Sequence, residues 1–481
     1  MTYKAMRFRG VSVGFSVGFC LLASAAVGVG ACGGSSGPAA PTIDLKVGAM
    51  VPRTGPNANS DWISAVELAF LHFTNGLKTA KNPKHLGLTL EERDTASNEA
   101  TAYQTKIDFA ALGAKVIVTE ATAASIGANK ANYDPAAGSP VPLVAFTSTS
   151  SSLNKPTATD ADPLRQAALQ DVANWFFRSC PLSDALSKIR LSVVFQSGAA
   201  GDVNGDGKVK VVFVGTTDPA TMSSIAGDVK AFAAAAPNPT VFVSEQVIFD
   251  PGADPNTFNW SAVLQKMTDT FNESTQAEDG LPDIIVNKSL PNVAIPLIRT
   301  YNQARHTIAM LQDGSFRRNT ILAALGSSAD GQQGPSNIAY EPNASGRTFA
   351  SEQQKATGWA PAAFESQAYD AMTLALLAMV KAASALDDPA LVTPEQVRQA
   401  LEQINDPAGE IIRTGSTEFA KAVDLIAAGT PINYEGASGP VNFDAVGNVL
   451  SKAVLWKIQA GKFVEMQVYD CTVGSDCPLV P

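Results

Sequence analysis

Three stretches of the chain place small hydroxyl side chains and backbone amides directly after apolar runs. They are Arg53-Thr54-Gly55-Pro56-Asn57-Ala58-Asn59-Ser60, Thr119-Glu120-Ala121-Thr122-Ala123 and Thr147-Ser148-Thr149-Ser150. Hydroxyls and amides beside a helix start suit an anion such as a carboxylate. The same residue types cap helices and form turns, so this signal alone leaves both uses open. A fourth stretch, Asp202-Val203-Asn204-Gly205-Asp206-Gly207, spaces its oxygens like the first half of a calcium loop, yet the twelfth position is Phe213 and not an acid. Asp202, Asn204 and Asp206 are therefore weak calcium candidates, and a hairpin turn is the competing reading. Catalytic spacing is poor. Gly14-Phe15-Ser16-Val17-Gly18 matches a nucleophile elbow but lies in an apolar leader, and His72, His85 and His306 have no nucleophile partner in sequence context. The chain reads as a binding protein without a cofactor and not as an enzyme; a hydrolase on the same frame is the weaker alternative.

The loops need elements to hold them. Leu45–Val51, Val116–Val118, Pro142–Phe146, Val209–Val214, Thr240–Val247, Asp283–Asn287 and Thr307–Leu311 read as buried strands. Helical patterns at Asp61–Asn75, Thr95–Leu112, Leu164–Phe177, Ser223–Ala235, Trp260–Phe271 and Val293–Ala304 lie between them. Such alternation implies parallel sheets covered on both faces by helices, and 481 residues suit more than one such unit. Farther on come helices at Ala363–Leu386 and Thr393–Ile404, then an antiparallel hairpin, Val454–Ile458 and Phe463–Tyr469, around Ala460-Gly461.

Charge and cysteines narrow the setting. The formal net charge is −10 and no basic run occurs, which argues against nucleic acid. Lys4, Arg7 and Arg9 precede an apolar Val11–Val29, and small residues lead to Cys32 in Val29-Gly30-Ala31-Cys32. This has the three parts of a secretory signal, and its end resembles a bacterial lipobox. Residues 1–31 are expected to be removed, Cys32 to carry lipid, and 32–42 to form a tether; an uncleaved membrane anchor is the competing reading. The expected location is the periplasm or cell surface, with the membrane reached through the anchor alone. In an oxidising compartment Cys471 and Cys477 can close a small loop in the tail at 471–481, leaving Cys180 over, though a bridge from Cys180 to either stays open.

Four segments carry a family resemblance: "LKVGAMVPRTGPNANSDWISAVELAFLHFTN", then "VIVTEATAAS" with "PLVAFTSTSSSL", then "ESQAYDAMTLALLAMVKA", and "YEGASGPVNFDAVGNV" with the hairpin after it. Together the chain resembles the type I periplasmic-binding-protein family, in its branched-chain amino-acid-binding group, from Ile43 to Tyr469. The resemblance implies two Rossmann-like α/β lobes, parallel sheets flanked by helices, joined by a hinge of three crossings. One lobe would hold 43–165 and 340–432, the other 166–339 and 433–470.

It also implies a site. Thr122, Thr147 and Thr149 fall where the family holds a ligand carboxylate. Asp313, before Gly314, falls where it holds the ammonium. Positions that are often aromatic in the family fall near Ser60 and Asp218, with Trp62 as a substitute for the first or as a core anchor. The implied function is capture of a small polar ligand, an amino acid or similar metabolite, by a monomer that delivers it to an ABC permease. The alternative is a lipoprotein that senses the ligand and signals to a membrane partner. Cys32→Ser is expected to release the exported protein from membranes; fractionation after signal cleavage checks this, and a variant that stays membrane-bound would contradict the anchor.

Overall fold

The computed structural model describes residues 43–196, 201–252, 254–472 and 477–480. The expected signal, Cys32 and tether lie outside the described residues. Among those residues no helix is long and apolar enough to cross a membrane.

Long runs of buried apolar side chains build two sheets. The first runs, edge to edge, Leu86–Asp94, Ile43–Val51, Ala114–Thr119, Leu143–Ala145 and Phe176–Arg178. All neighbours in it are parallel. The second runs Lys462–Asp470, Lys452–Gln459, Gln333–Asn337, Ala309–Gln312, Ile284–Asn287, Val209–Thr216 and Phe242–Phe249. Its last five strands are parallel, and the hairpin joins antiparallel at Gln333–Asn337. Parallel strands are covered on both faces and tolerate few polar side chains, which is why Val209–Thr216 is buried along its whole length. Separate cores sit on the two sheets, so the molecule is two-lobed.

Helix Ser60–Thr79 begins at Asn59, whose side chain accepts the Asp61 N–H, and it buries Trp62, Val66 and Phe73 on the first lobe. Helix Glu365–Ser384 is buried nearly all round because it lies among helices Ser60–Thr79, Pro394–Glu402 and Ser416–Ala427. Thr393 and Gln396 form a capping box at the start of Pro394–Glu402.

The expected boundaries move. The pattern over Leu164–Phe177 is a helix only at Pro163–Gln170. Asp171 then takes a left-handed conformation, φ 46°, and its carboxylate accepts the N–H groups of Trp175 and Phe176. That reversal feeds Phe176–Arg178 into the first sheet, so the chain leaves the first lobe after Arg178 and not at 165. Helix Ser183–Phe195 packs on the second sheet. The return also comes late: Tyr434, Ala437, Val441 and Val449 belong to the first core, so the first lobe extends past 432 to about Leu450.

One carboxylate explains the Tyr434–Val449 segment. Asp370, buried on helix Glu365–Ser384, accepts from Tyr434 Oη (2.8 Å), Ala437 N (2.8 Å), Ser438 N (2.7 Å) and Ser438 Oγ (2.6 Å). Gly436 is needed there, since a Cβ would lie 2.5 Å from Asp370 Oδ2. In the tail Cys471 and Cys477 are bridged, and Cys180 is buried and free. Asp370→Ala would leave four donors without their acceptor and is expected to lower stability by about 3 kcal/mol in urea unfolding.

Candidate ligand-binding site

The carboxyl ends of parallel strands are where α/β sheets bind ligands. Ala114–Thr119 and Leu143–Ala145 are neighbours in register, with Thr119 opposite Ala145, so the Thr119–Ala123 and Thr147–Ser150 loops leave the first sheet side by side. Thr122 opens helix Thr122–Tyr133, whose N-cap, Ala121, gives no side-chain bond. Arg178 fixes the second loop: its buried guanidinium donates to the carbonyls of Ser148 (2.7 Å), Ser150 (2.8 Å) and Leu153 (3.0 Å). Asp94 fixes the Arg53–Ser60 loop, accepting from the N–H groups of Arg53, Thr54 and Ala96 and from Thr54 Oγ1. Gly55 has φ +82° there, with Ala96 O only 2.4 Å from where a Cβ would stand.

Thr147 and Thr149 are half-buried in their loop, and Thr149 O accepts the Ser183 N–H, 2.8 Å away, where the chain enters the second lobe. Ser60 is exposed, with its hydroxyl near its neighbour Asp61. Asp218 is committed within its own lobe: it accepts the Thr221 N–H as helix cap and the Thr216 hydroxyl at 2.6 Å. The Asp202–Gly207 oxygens close their own turn, Asp202 accepting the N–H groups of Gly205, Asp206 and Gly207. Among the described residues no group of three or more His, Cys, Asp or Glu is placed to hold a metal ion.

Asp313 stands at the end of Ala309–Gln312 with two cations on it. Its Oδ2 lies 3.0 Å from Lys288 Nζ and 3.3 Å from Arg190 Nη2, and both cations also meet Asp228 at 3.3 Å. Burial works against the Asp313 charge, but Lys288 and Arg190 outweigh it and hold the carboxyl well below the usual carboxylate range. Asp228 is held low by the same pair against its burial.

Arg318, five residues on, reaches the other lobe. It donates to Asn57 O (3.1 Å) and Asn57 Oδ1 (3.0 Å), and its guanidinium sits 4.1 Å from the centre of the Trp62 ring. Trp62 is itself fixed by its indole N–H on Ala363 O, with Phe146 and Phe364 edge-on at 5.9 and 5.8 Å. Phe364 has a left-handed backbone, φ 69°, a strained conformation for an aromatic residue. Burial lowers the Arg318 pKa to about 9, which leaves it cationic at neutral pH; Glu120 and Asp313 support that charge. Glu120 is fully buried and accepts from Thr95 Oγ1, Ser97 Oγ and Ala121 N. Its burial pushes its carboxyl up against those bonds.

Arg318, Lys288, Arg190 and Phe364 are absent from the sequence-based expectation, and Glu120 enters it only as part of its loop. Their signal was position: Lys288 directly follows a strand, and Arg317-Arg318 follow Asp313-Gly314 in the next such loop. Around these charges are buried hydroxyls with no hydrogen-bond partner among the described residues: Thr119, Thr147 and Ser148 on the first lobe, Ser289 and Ser315 on the second.

No family model matches the chain. Over 82 residues it is 43% identical to the chemotactic signal transduction system substrate-binding protein BasB of Halobacterium salinarum, a match spanning 17% of this chain and 18% of that relative. Solved structures align far more widely. Leucine-binding protein LivK of Thermotoga maritima has a TM-score of 0.63 at 16% identity, over 88% of this chain and 98% of that one. A solute-binding protein of an R. palustris ABC transporter, in complex with benzoate, has a TM-score of 0.63 at 16% identity, over 91% and 97%. The branched-chain amino-acid transporter substrate-binding protein LivJ of Streptococcus pneumoniae, in complex with isoleucine, has a TM-score of 0.62 at 15% identity, over 91% and 99%.

Beside Trp62, Glu365 accepts from Ala362 N (2.8 Å) and Gln353 Nε2 (2.9 Å). Burial raises its pKa from an ordinary 4.5 to about 8, and Asp61 adds to the shift. The native state thus keeps a proton that the unfolded chain loses. Stability is expected to fall by about 1 kcal/mol per pH unit as pH rises between those two values, then level off. Urea midpoints across that range check this, and Glu365→Gln should remove the slope. At the identities found the likeness to solved structures is one of fold, and the fold of this chain is that of the type I periplasmic binding proteins.

Proposed function

We propose that the chain is an extracytoplasmic solute-binding protein whose two lobes close over a small polar ligand and deliver it to an ABC permease. The observation that carries this reading is the set of unpartnered buried hydroxyls on strand-end loops of both lobes. A buried hydroxyl without a partner is costly, and a polar ligand held between the lobes removes that cost on both sides at once. Closure is then favoured because only the closed form offers the ligand both sets of contacts.

The ligand class follows from charge. Arg190, Lys288 and Arg318 face Asp228, Asp313 and Glu120, three cations against three carboxyl groups, all but Asp313 almost wholly buried. A ligand with net charge would enter without a counter-charge, so the reading favours a zwitterion such as an amino acid, or an uncharged polar metabolite. In the zwitterion case Thr122, Thr147 and Thr149 take the carboxylate and Asp313 shares the ammonium with its present partners. The relatives named above as bound to isoleucine and benzoate supply the comparison: the first ligand is zwitterionic, the second a bare anion. Cys32 anchors the exported chain, and the protein works as a monomer. The short match to a chemotactic substrate-binding protein favours one second reading, delivery of the ligand signal to a membrane receptor in place of a permease.

A thermal-shift screen against amino acids, amides and small carboxylates tests this, since a ligand at a hundred times its dissociation constant adds about 2.7 kcal/mol. With the ligand so found, Thr147→Val is expected to weaken binding by about 1–3 kcal/mol by calorimetry while leaving the empty protein's melting temperature unchanged or higher. Equal affinity in variant and wild type would remove Thr147 from the site.

A further inference from the structure

A buried aromatic cluster of the first lobe carries a cation that belongs to the second. Trp62, Phe146 and Phe364 come from the first lobe, and the guanidinium lying on Trp62 comes from Arg318 of the second. Arg318 directly precedes helix Asn319–Leu325, which packs on helix Pro291–Gln303 in the second lobe. Its side-chain hydrogen bonds go the other way, to Asn57 O and Asn57 Oδ1. Asn319 repeats the pattern, donating to Asp61 Oδ2 at 3.2 Å and to Ala360 O at 3.1 Å. Two successive residues of one lobe thus hold the 57–62 segment of the other.

We propose that Arg318 is a built-in latch, a side chain of the second lobe that docks on Trp62 and Asn57 so that the empty protein populates the closed form. The proposal rests on the two-lobed binding reading. A planar guanidinium suits this role: it is less strongly hydrated than an ammonium, stacks on an indole face and forks two donors toward one asparagine. Its carboxyl neighbours, Glu120 on the first lobe and Asp313 on the second, lie on either side of the divide, so opening would separate Arg318 from Glu120 as well. Ligand then binds a pre-closed cleft whose remaining polar demand is the unpartnered hydroxyls.

The test needs no ligand. Spin labels at Glu67→Cys and Met222→Cys, one exposed position on each lobe, report the interlobe distance; Cys180 is buried and the tail cysteines are bridged. The protein is freed of co-purified ligand by unfolding and refolding. Wild type should give one short distance. Arg318→Met should lower the closed-to-open ratio about tenfold or more, with unchanged circular dichroism. Arg318→Lys should fall between, because it keeps the charge and loses the fork and the stacking. Asn57→Ala removes Asn57 Oδ1, one of the two acceptors on the opposite lobe, and leaves Asn57 O, so it should open the protein to a smaller extent than Arg318→Met, which decides the matter where Arg318→Met does not fold. A wild type that is open without ligand, or a folded Arg318→Met or Asn57→Ala as closed as wild type, overturns the latch. Ligand-driven closure, read by the thermal-shift screen, would survive that result.

Discussion

Six ionisable side chains are drawn together: Lys288, Arg318, Asp313 and Glu120 from loops that follow strands, and Arg190 and Asp228 from helices Ser183–Phe195 and Pro219–Ala235. Removing one such charge from water costs several kcal/mol unless partners and hydrogen bonds replace the solvent. That requirement dictates much of the local structure. Lys288 and Arg190 sit between Asp228 and Asp313, so each cation touches two carboxylates and each carboxylate two cations. Arg318 has no carboxylate within salt-bridge range among the described residues and draws on the Trp62 face and Asn57 instead. The sign alternates from Glu120 through Arg318 and Asp313 to the second lobe's cations, and such a chain is stable only while every member stays in place.

Holding the members in place falls to charged residues bonded to main chain. Arg178 is buried with carbonyls for partners, and its three bonds give the Thr147–Ser150 loop its shape. Asp94 does the same for the Arg53–Ser60 loop through backbone amides. Asp370 ties the last crossing segment to helix Glu365–Ser384. In each case a charged group immobilises main chain, the part of a loop that apolar packing grips least. A displaced loop would move several polar atoms at once, so these residues matter for binding geometry as well as for stability.

The parallel strands were readable in the sequence because full burial leaves continuous apolar runs, as in Val209–Val214 and Pro142–Phe146. Leu86–Asp94 escaped because it is an edge strand, with Glu91 and Glu92 half-buried and Arg93 exposed. Phe176–Arg178 was absorbed into a helix because nothing local marks Asp171 as a stop; its carboxylate ends the helix through amides downstream. The hydroxyl loops could be found from their place after strands, whereas the charges could not be found from type. A lone Arg or Lys in sequence reads as surface, and only the fold sets Lys288 and Arg190 against Asp313. Trp62 was left between core anchor and ligand contact; it is buried in the first core, its indole N–H spent on Ala363 and its face on Arg318.

A clamp that closes on itself changes what ligand affinity measures. When only the closed form binds, the apparent dissociation constant is the intrinsic one divided by the closed fraction. A latch that raises this fraction strengthens apparent binding without a single new ligand contact. It also restricts entry, because a ligand must pass while the lobes are apart. The two effects pull against each other, so the strength of the Arg318 contact has an optimum set by the ligand concentration the protein meets. The partners observed fit a contact of middling strength: a cation on an indole face and two bonds to one neutral asparagine. A carboxylate at position 57 would make a buried ion pair there and shift the balance toward permanent closure. Asparagine, with the same shape and no charge, keeps the lobes separable.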